Sequence, residues 1–116
     1  MTYPLAFSTW GNEEVEAIKR VINTDMYTMG KHVKQFEQEF AETFGSPHAV
    51  MVNSGSSANL LMLSLLKWKY KLTGDIIVPV VGWATTYFPI SQNGFRLNFV
   101  DVDPNTWNID VSKIEA

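Results

Sequence analysis

The chain contains no cysteine, which excludes a disulfide framework and any thiolate-held metal. That absence fits a reducing compartment. It also lacks any apolar run of the roughly 18–20 residues a helix needs to cross a bilayer. The opening residues, Met1-Thr2-Tyr3-Pro4-Leu5, carry no basic stretch followed by an apolar core. No secretory signal is therefore expected, and the cytoplasm is the expected compartment. Positive charge is in short supply as well: 9 Lys and Arg stand against 12 Asp and Glu, a net charge of −3. This balance argues against nucleic acid or an anionic membrane as the main partner, yet leaves room for a local anion site. Internal repeats and low-complexity stretches are missing too. What is present is globular in composition, 46% hydrophobic and 18% charged over 116 residues, enough for one small domain.

The most informative stretch is Val50-Met51-Val52-Asn53-Ser54-Gly55-Ser56-Ser57-Ala58-Asn59-Leu60-Leu61. Its pattern predicts a buried strand, a tight turn of small hydroxyl residues around one glycine, and an apolar helix. A turn of that kind leaves unpartnered backbone N–H groups at a helix N-terminus, where the dipole favours negative charge. Phosphate binding is one reading. The other is a plain strand-to-helix turn, with Ser56 or Ser57 as N-cap and Gly55 present only for its backbone angle. The longer glycine-rich signatures and the P-loop lysine are absent.

Upstream, Asn12 is expected to cap a helix that carries Glu13 and Glu14 in its first turn and Val15, Ile18, Val21 and Ile22 on one face. Asn23-Thr24-Asp25 ends it. The loop Met26-Tyr27-Thr28-Met29-Gly30 is unusually apolar; it either docks on the core or walls a ligand site, with Tyr27 the candidate to face a substrate. A second amphipathic helix follows. Its stripe of Val33, Phe36, Phe40, Ala41 and Phe44 is expected in the core, and Gly45 is expected to stop it. His48, at the entry to the first strand, has no carboxylate or cysteine at ligand-like spacing and is read as structural.

The helix after the serine turn is apolar nearly all round, from Leu60 to Trp68, and is expected to be buried on several sides. Thr73-Gly74 stops it. Asp75-Ile76-Ile77-Val78 and Leu97-Asn98-Phe99-Val100 are expected strands, with a helix between them that ends near Gln92-Asn93-Gly94. Asp110 is expected to cap a last helix. Strands that alternate with helices from residue 48 onward indicate an α/β fold with a parallel sheet and crossover helices. Three strands and a cut-off final helix leave apolar surface uncovered, so the chain is expected to be the N-terminal part of a larger protein. In open parallel sheets ligands sit at the carboxyl ends of strands. Two loops lie there, Asn53–Ser57 and Pro79–Thr86, and the second holds Trp83. One loop suited to a phosphate beside another suited to stack a flat ring matches the needs of pyridoxal phosphate.

Three segments, "VMVNSGSSANLLMLSLL", "GDIIVPVVGWATTYFPISQNGF" and "FVDVDPNTWNIDVSKIEA", resemble in order and spacing the N-terminal part of the DegT/StrS-type sugar aminotransferases. These are fold-type-I enzymes that depend on pyridoxal 5'-phosphate and act on nucleotide-linked keto sugars. The segments "YPLAFSTW" and "MYTMGKHVKQFEQEFAETFGS" resemble in particular the branch of GDP-4-keto-6-deoxymannose 3-dehydratases. The resemblance implies the aspartate aminotransferase-like large domain, with an N-terminal helical segment over 1–45 and the start of the cofactor-binding α/β domain over 46–116. It implies that Gly55 and Ser56, with Ser57 beside them, bind the cofactor phosphate, and that Trp83 stacks on the pyridine ring. Gly82 stands where the family usually has serine or threonine, so a hydroxyl contact from that position is lost. No lysine here matches the one that holds the cofactor covalently. The resemblance places that lysine, or the histidine of the dehydratase branch, beyond Ala116, so no catalytic residue is assigned within the chain and no metal is implied. It further implies pyridoxal or pyridoxamine phosphate as cofactor, an amino donor such as glutamate, a homodimer, and a place in deoxysugar or O-antigen synthesis. Aminotransfer is the first expectation and 3-dehydration the alternative.

Overall fold

A computed structural model describes residues 3–115. Contacts fall into two compact units, one ending at Met51 and the other starting at Val52.

The first unit holds α1 (Asn12–Ile22) and α2 (Lys31–Thr43). Asn12, expected as the cap of α1, is its first residue instead, and Gly11 is the N-cap. Glu14 explains the shift: its Oε2 reaches back to accept the Gly11 N–H at 2.7 Å, one arm of a capping box. That bond holds the Glu14 carboxyl below its usual range. A lowered folded pKa adds stability above the unfolded value, and the contribution fades as pH falls through the folded one. Helix α2 ends as expected at Gly45, in the left-handed region at φ 63°. The Ser46 N–H reaches Ala41 O at 2.9 Å and the Gly45 N–H reaches Glu42 O at 3.3 Å, the paired bonds of a Schellman stop.

Two expectations for this unit fail. Of the α2 stripe only Ala41 is buried; Phe36, Phe40 and Phe44 stay 50%, 45% and 69% exposed. Neighbouring rings of the three pack on each other at a tilt, with centroids 5.6 and 4.4 Å apart. The second failure is the strand over Val50–Val52, which is irregular. A strand exists only through ladder bonds to a neighbour, and here the Met51 N–H donates to Glu37 Oε1 at 2.8 Å instead.

The second unit is built of α3 (Gly55–Tyr70), β1 (Asp75–Pro79), α4 (Ala84–Gln92) and β2 (Arg96–Val100), followed by a short 3-10 turn at Val111–Lys113. The strands pair in parallel from Asp75 opposite Arg96 to Pro79 opposite Val100, so α4 is the crossover a parallel pair requires. Val78, Ile90 and Phe95 form the core, with Leu63, Ile76, Tyr87 and Leu97 against it. The fold is α/β as expected, with two strands rather than three among the described residues. Asp110 does act as a cap, accepting the Ser112 N–H, but of the 3-10 turn and not of an α-helix. Helix α3 departs most from expectation. None of its residues is buried, and Leu61, Met62 and Leu65 are each more than half exposed. A helix that is apolar all round needs neighbours on several sides; in its own unit α3 packs on α4.

Candidate functional site

Both expected ligand loops belong to the second unit. Ser54 is the N-cap of α3, so the cap is neither Ser56 nor Ser57. Its Oγ accepts the Ser57 N–H at 3.2 Å, and its carbonyl accepts the Ala58 N–H at 3.1 Å. Gly55 and Ser56 are thus the first two residues of the helix. Their N–H groups find no partner among the described residues, as is usual at a helix start. Both residues are exposed, and Ser57 is half-buried. Ser57 Oγ also accepts the Ser54 hydroxyl at 3.3 Å.

Gly55 does not behave as the plain-turn reading requires. It is absent from the positive-φ glycines, which are Gly45, Gly74 and Gly94. A Cβ at position 55 would meet nothing within 4 Å. Neither backbone angle nor packing within the chain calls for glycine there. A group from outside that approaches the backbone closely would call for it.

Trp83 is the N-cap of α4, four residues past the end of β1, and its side chain is open to solvent. The two helix starts are linked by a consequence of Pro89. Proline has no N–H, so the carbonyl four residues earlier loses its helical partner. That carbonyl belongs to Thr85, in the first turn of α4, and Asn59 Nδ2 of α3 donates to it at 3.2 Å. Asn59 therefore holds the opening turn of α3 beside that of α4. A second tie lies further along: buried Asn93 accepts the Ser64 hydroxyl at 2.9 Å and receives Lys67 Nζ on its carbonyl. Sequence reading singled out neither Ser54 nor Asn59; the proline four residues after Thr85 was the available signal for Asn59. Changing Asn59 to leucine strands the Thr85 carbonyl and is expected to lower stability by about 1–3 kcal/mol, the cost of an unsatisfied half-buried polar group. A denaturant melt of wild type and variant checks this.

Tyr27 lies in the first unit. Its hydroxyl donates to Ile22 O at 3.3 Å, and it lines a cavity of about 930 Å³ with Ile18, Val21, Ile22, Met26 and Val33. The loop therefore does wall a cavity, in its own unit. His48 is exposed, and its carbonyl accepts the Ser46 hydroxyl at 2.7 Å.

Residues 8–116 match the DegT/DnrJ/EryC1/StrS aminotransferase family. A GDP-4-keto-6-deoxy-D-mannose 3-dehydratase from Yersinia pseudotuberculosis is 51% identical over 120 residues, which is 100% of this chain and 30% of that protein. The enzyme of the same name from Escherichia coli O55:H7 is 52% identical over 119 residues, 99% of this chain and 31% of that protein. A crystal structure of GDP-4-keto-6-deoxymannose-3-dehydratase with a trapped PLP-glutamate geminal diamine superposes with a TM-score of 0.86 at 54% identity, covering 96% of this chain and 30% of that one. The chain spans about 30% of the length of the curated relatives it matches.

Proposed function

Because the chain belongs to the DegT/DnrJ/EryC1/StrS aminotransferase family, we propose that it forms the cofactor-phosphate end of a pyridoxal-phosphate-dependent enzyme acting on a nucleotide-linked keto sugar. The observation that carries this reading is Gly55: a glycine that neither strain nor packing explains, beside two free N–H groups at a helix start. That donor set suits a phosphate. The Gly55 and Ser56 N–H groups and the Ser56 hydroxyl bind its oxygens, and the α3 dipole favours its charge. Ser57 contributes less than Ser56, because Ser54 already takes its N–H. Trp83, at the start of α4, lays its indole on the pyridine ring and keeps water from that face. When bound, pyridoxal or pyridoxamine phosphate supplies an electron sink for bond breaking at the sugar. This chain's residues bind and orient it.

For the reaction we favour removal of the 3-hydroxyl from a GDP-linked 4-keto-6-deoxy sugar. Support comes from the half of all positions shared with proteins named for that dehydration. Aminotransfer is the second reading, favoured by the family's own description. Glutamate as amino donor fits both, and a glutamate adduct is present in the similar crystal structure. A homodimer fits the uncovered apolar faces of α2 and α3. No helix among the described residues is long and apolar enough to cross a membrane, which is compatible with a cytoplasmic site of action. Tyr27 is proposed to face the sugar nucleotide.

Trp83 provides the test. Cofactor binding to the whole protein is expected to quench part of the tryptophan emission. Trp83→Ala should abolish that part and weaken binding by roughly 1 kcal/mol or more, the scale of an aromatic stack beyond area burial. Trp10, Trp68 and Trp107 supply the background, so the difference between wild type and variant is the quantity to read. Identical quenching in both removes Trp83 from the site.

A further inference from the structure

We propose that Tyr87 is the positioning residue for Trp83 and acts through Gly82. The inference rests on the reading that Trp83 faces the cofactor ring. Tyr87 is half-buried in the first half of α4 and is held from two sides. Its hydroxyl donates to the carbonyl oxygen of Pro79, the last residue of β1, at 2.7 Å. Its ring meets Phe99 of β2 edge-on, with centroids 5.5 Å apart at 74°. Tyr87 is thus tied to the carboxyl ends of both strands.

Between Pro79 and Trp83 the chain passes this ring, and at Gly82 the ring leaves no room for a side chain. Gly82 is not among the positive-φ residues, so its backbone alone would accept any amino acid. A Cβ there would nevertheless fall on the Tyr87 hydroxyl and lie 2.9 Å from ring carbon Cζ, closer than packed carbon atoms approach. The ring cannot swing aside without giving up Pro79 and Phe99. Tyr87 supplies the three atoms nearest a Cβ at 82 and so requires glycine there, and the two together set the path of the loop into Trp83. Tyr87 touches no reacting atom in this scheme. It fixes where the indole starts.

The experiment is a double-mutant cycle in the whole protein, with Gly82→Ala placed in the wild-type and in the Tyr87→Leu background. Two quantities are read. One is the Trp83 contribution to emission without cofactor, obtained by difference from Trp83→Phe in each background. The other is the dissociation constant for pyridoxal phosphate. Melting curves confirm that each variant folds. With Tyr87 present, Gly82→Ala is expected to shift the Trp83 emission and weaken cofactor binding at least tenfold. With Leu at 87, the same change should leave the emission in place and alter binding by less than threefold. Equal effects of Gly82→Ala in both backgrounds, or none in either, would overturn the pair and leave Trp83 where it is. Coupling seen in the emission while Trp83→Ala leaves cofactor affinity unchanged would instead remove Trp83 from the cofactor, and the positioning role of Tyr87 with it.

Discussion

Replacing Gly55 with aspartate is expected to leave the protein as stable as before, or slightly more stable, and to reduce its affinity for pyridoxal phosphate by about a thousandfold. Stability holds because position 55 is the first residue of α3 and has open space for a side chain. A carboxylate there also faces the positive end of the helix dipole, worth about 0.3–1 kcal/mol. Affinity falls because the same carboxylate would stand against the cofactor phosphate. Two unit charges about 4 Å apart repel by about 4 kcal/mol at the screening typical of a protein surface, close to three decades in binding. Gly55→Asn separates charge from size and should lose much less. The gap between the two variants should narrow with added salt. Equal losses in both would mean that only bulk matters at this position. No loss in either would take the phosphate away from α3.

A second large effect is expected when residues 1–116 are produced alone: light scattering from association, and no cofactor absorbance band. Its physical basis is uncovered apolar surface. In α3, Leu61, Met62, Leu65 and Trp68 are all more than half exposed, and Phe36 and Phe40 of α2 and Phe44 at its C-cap are close to half exposed or more. Contiguous apolar patches of that extent mark contact surfaces or aggregation hazards on a soluble chain. Among the described residues the buried hydrophobic side chains that oppose them are few: Ala41 in the first unit, and Val78, Ile90, Phe95 and Val100 in the second. Light scattering and an absorbance scan of the purified segment decide the matter. A monodisperse monomer that binds pyridoxal phosphate at full strength would show that these faces need no cover.

How much of this was legible in the sequence depended on whether the cause was local. The stop at Gly45, the turn into α3, the two paired strands and the crossover helix all follow from side-chain periodicity and turn chemistry, which neighbouring residues carry. The cap of α3 was misplaced because Ser54, Ser56 and Ser57 have the same chemistry, and only the path of the chain selects Ser54. Asn12 lost its expected cap role to Gly11 because Glu14 reaches back to the Gly11 N–H. Val50–Val52 has the composition of a strand, but composition does not supply a partner. The burial expected of α2 and α3 failed for the same reason. The tie between Asn59 and Thr85 follows from a proline four residues away and an asparagine on another helix, a pairing that appears only once both helices are placed. Of the candidate site residues, Gly55, Ser56, Ser57 and Trp83 fall within one unit at two adjoining helix starts. Tyr87 and Asn59, which hold those starts, had no motif to announce them.

The most direct measurement compares pyridoxal phosphate with pyridoxal, which has the same ring and no phosphate, in the whole protein and its Ser56→Ala variant. The account predicts that the variant loses about 1–3 kcal/mol of affinity for pyridoxal phosphate, the scale of a hydrogen bond to a charged group, while its affinity for pyridoxal is unchanged. Equal losses for both compounds, or no loss for the phosphate form, would contradict the claim that the start of α3 holds the cofactor phosphate.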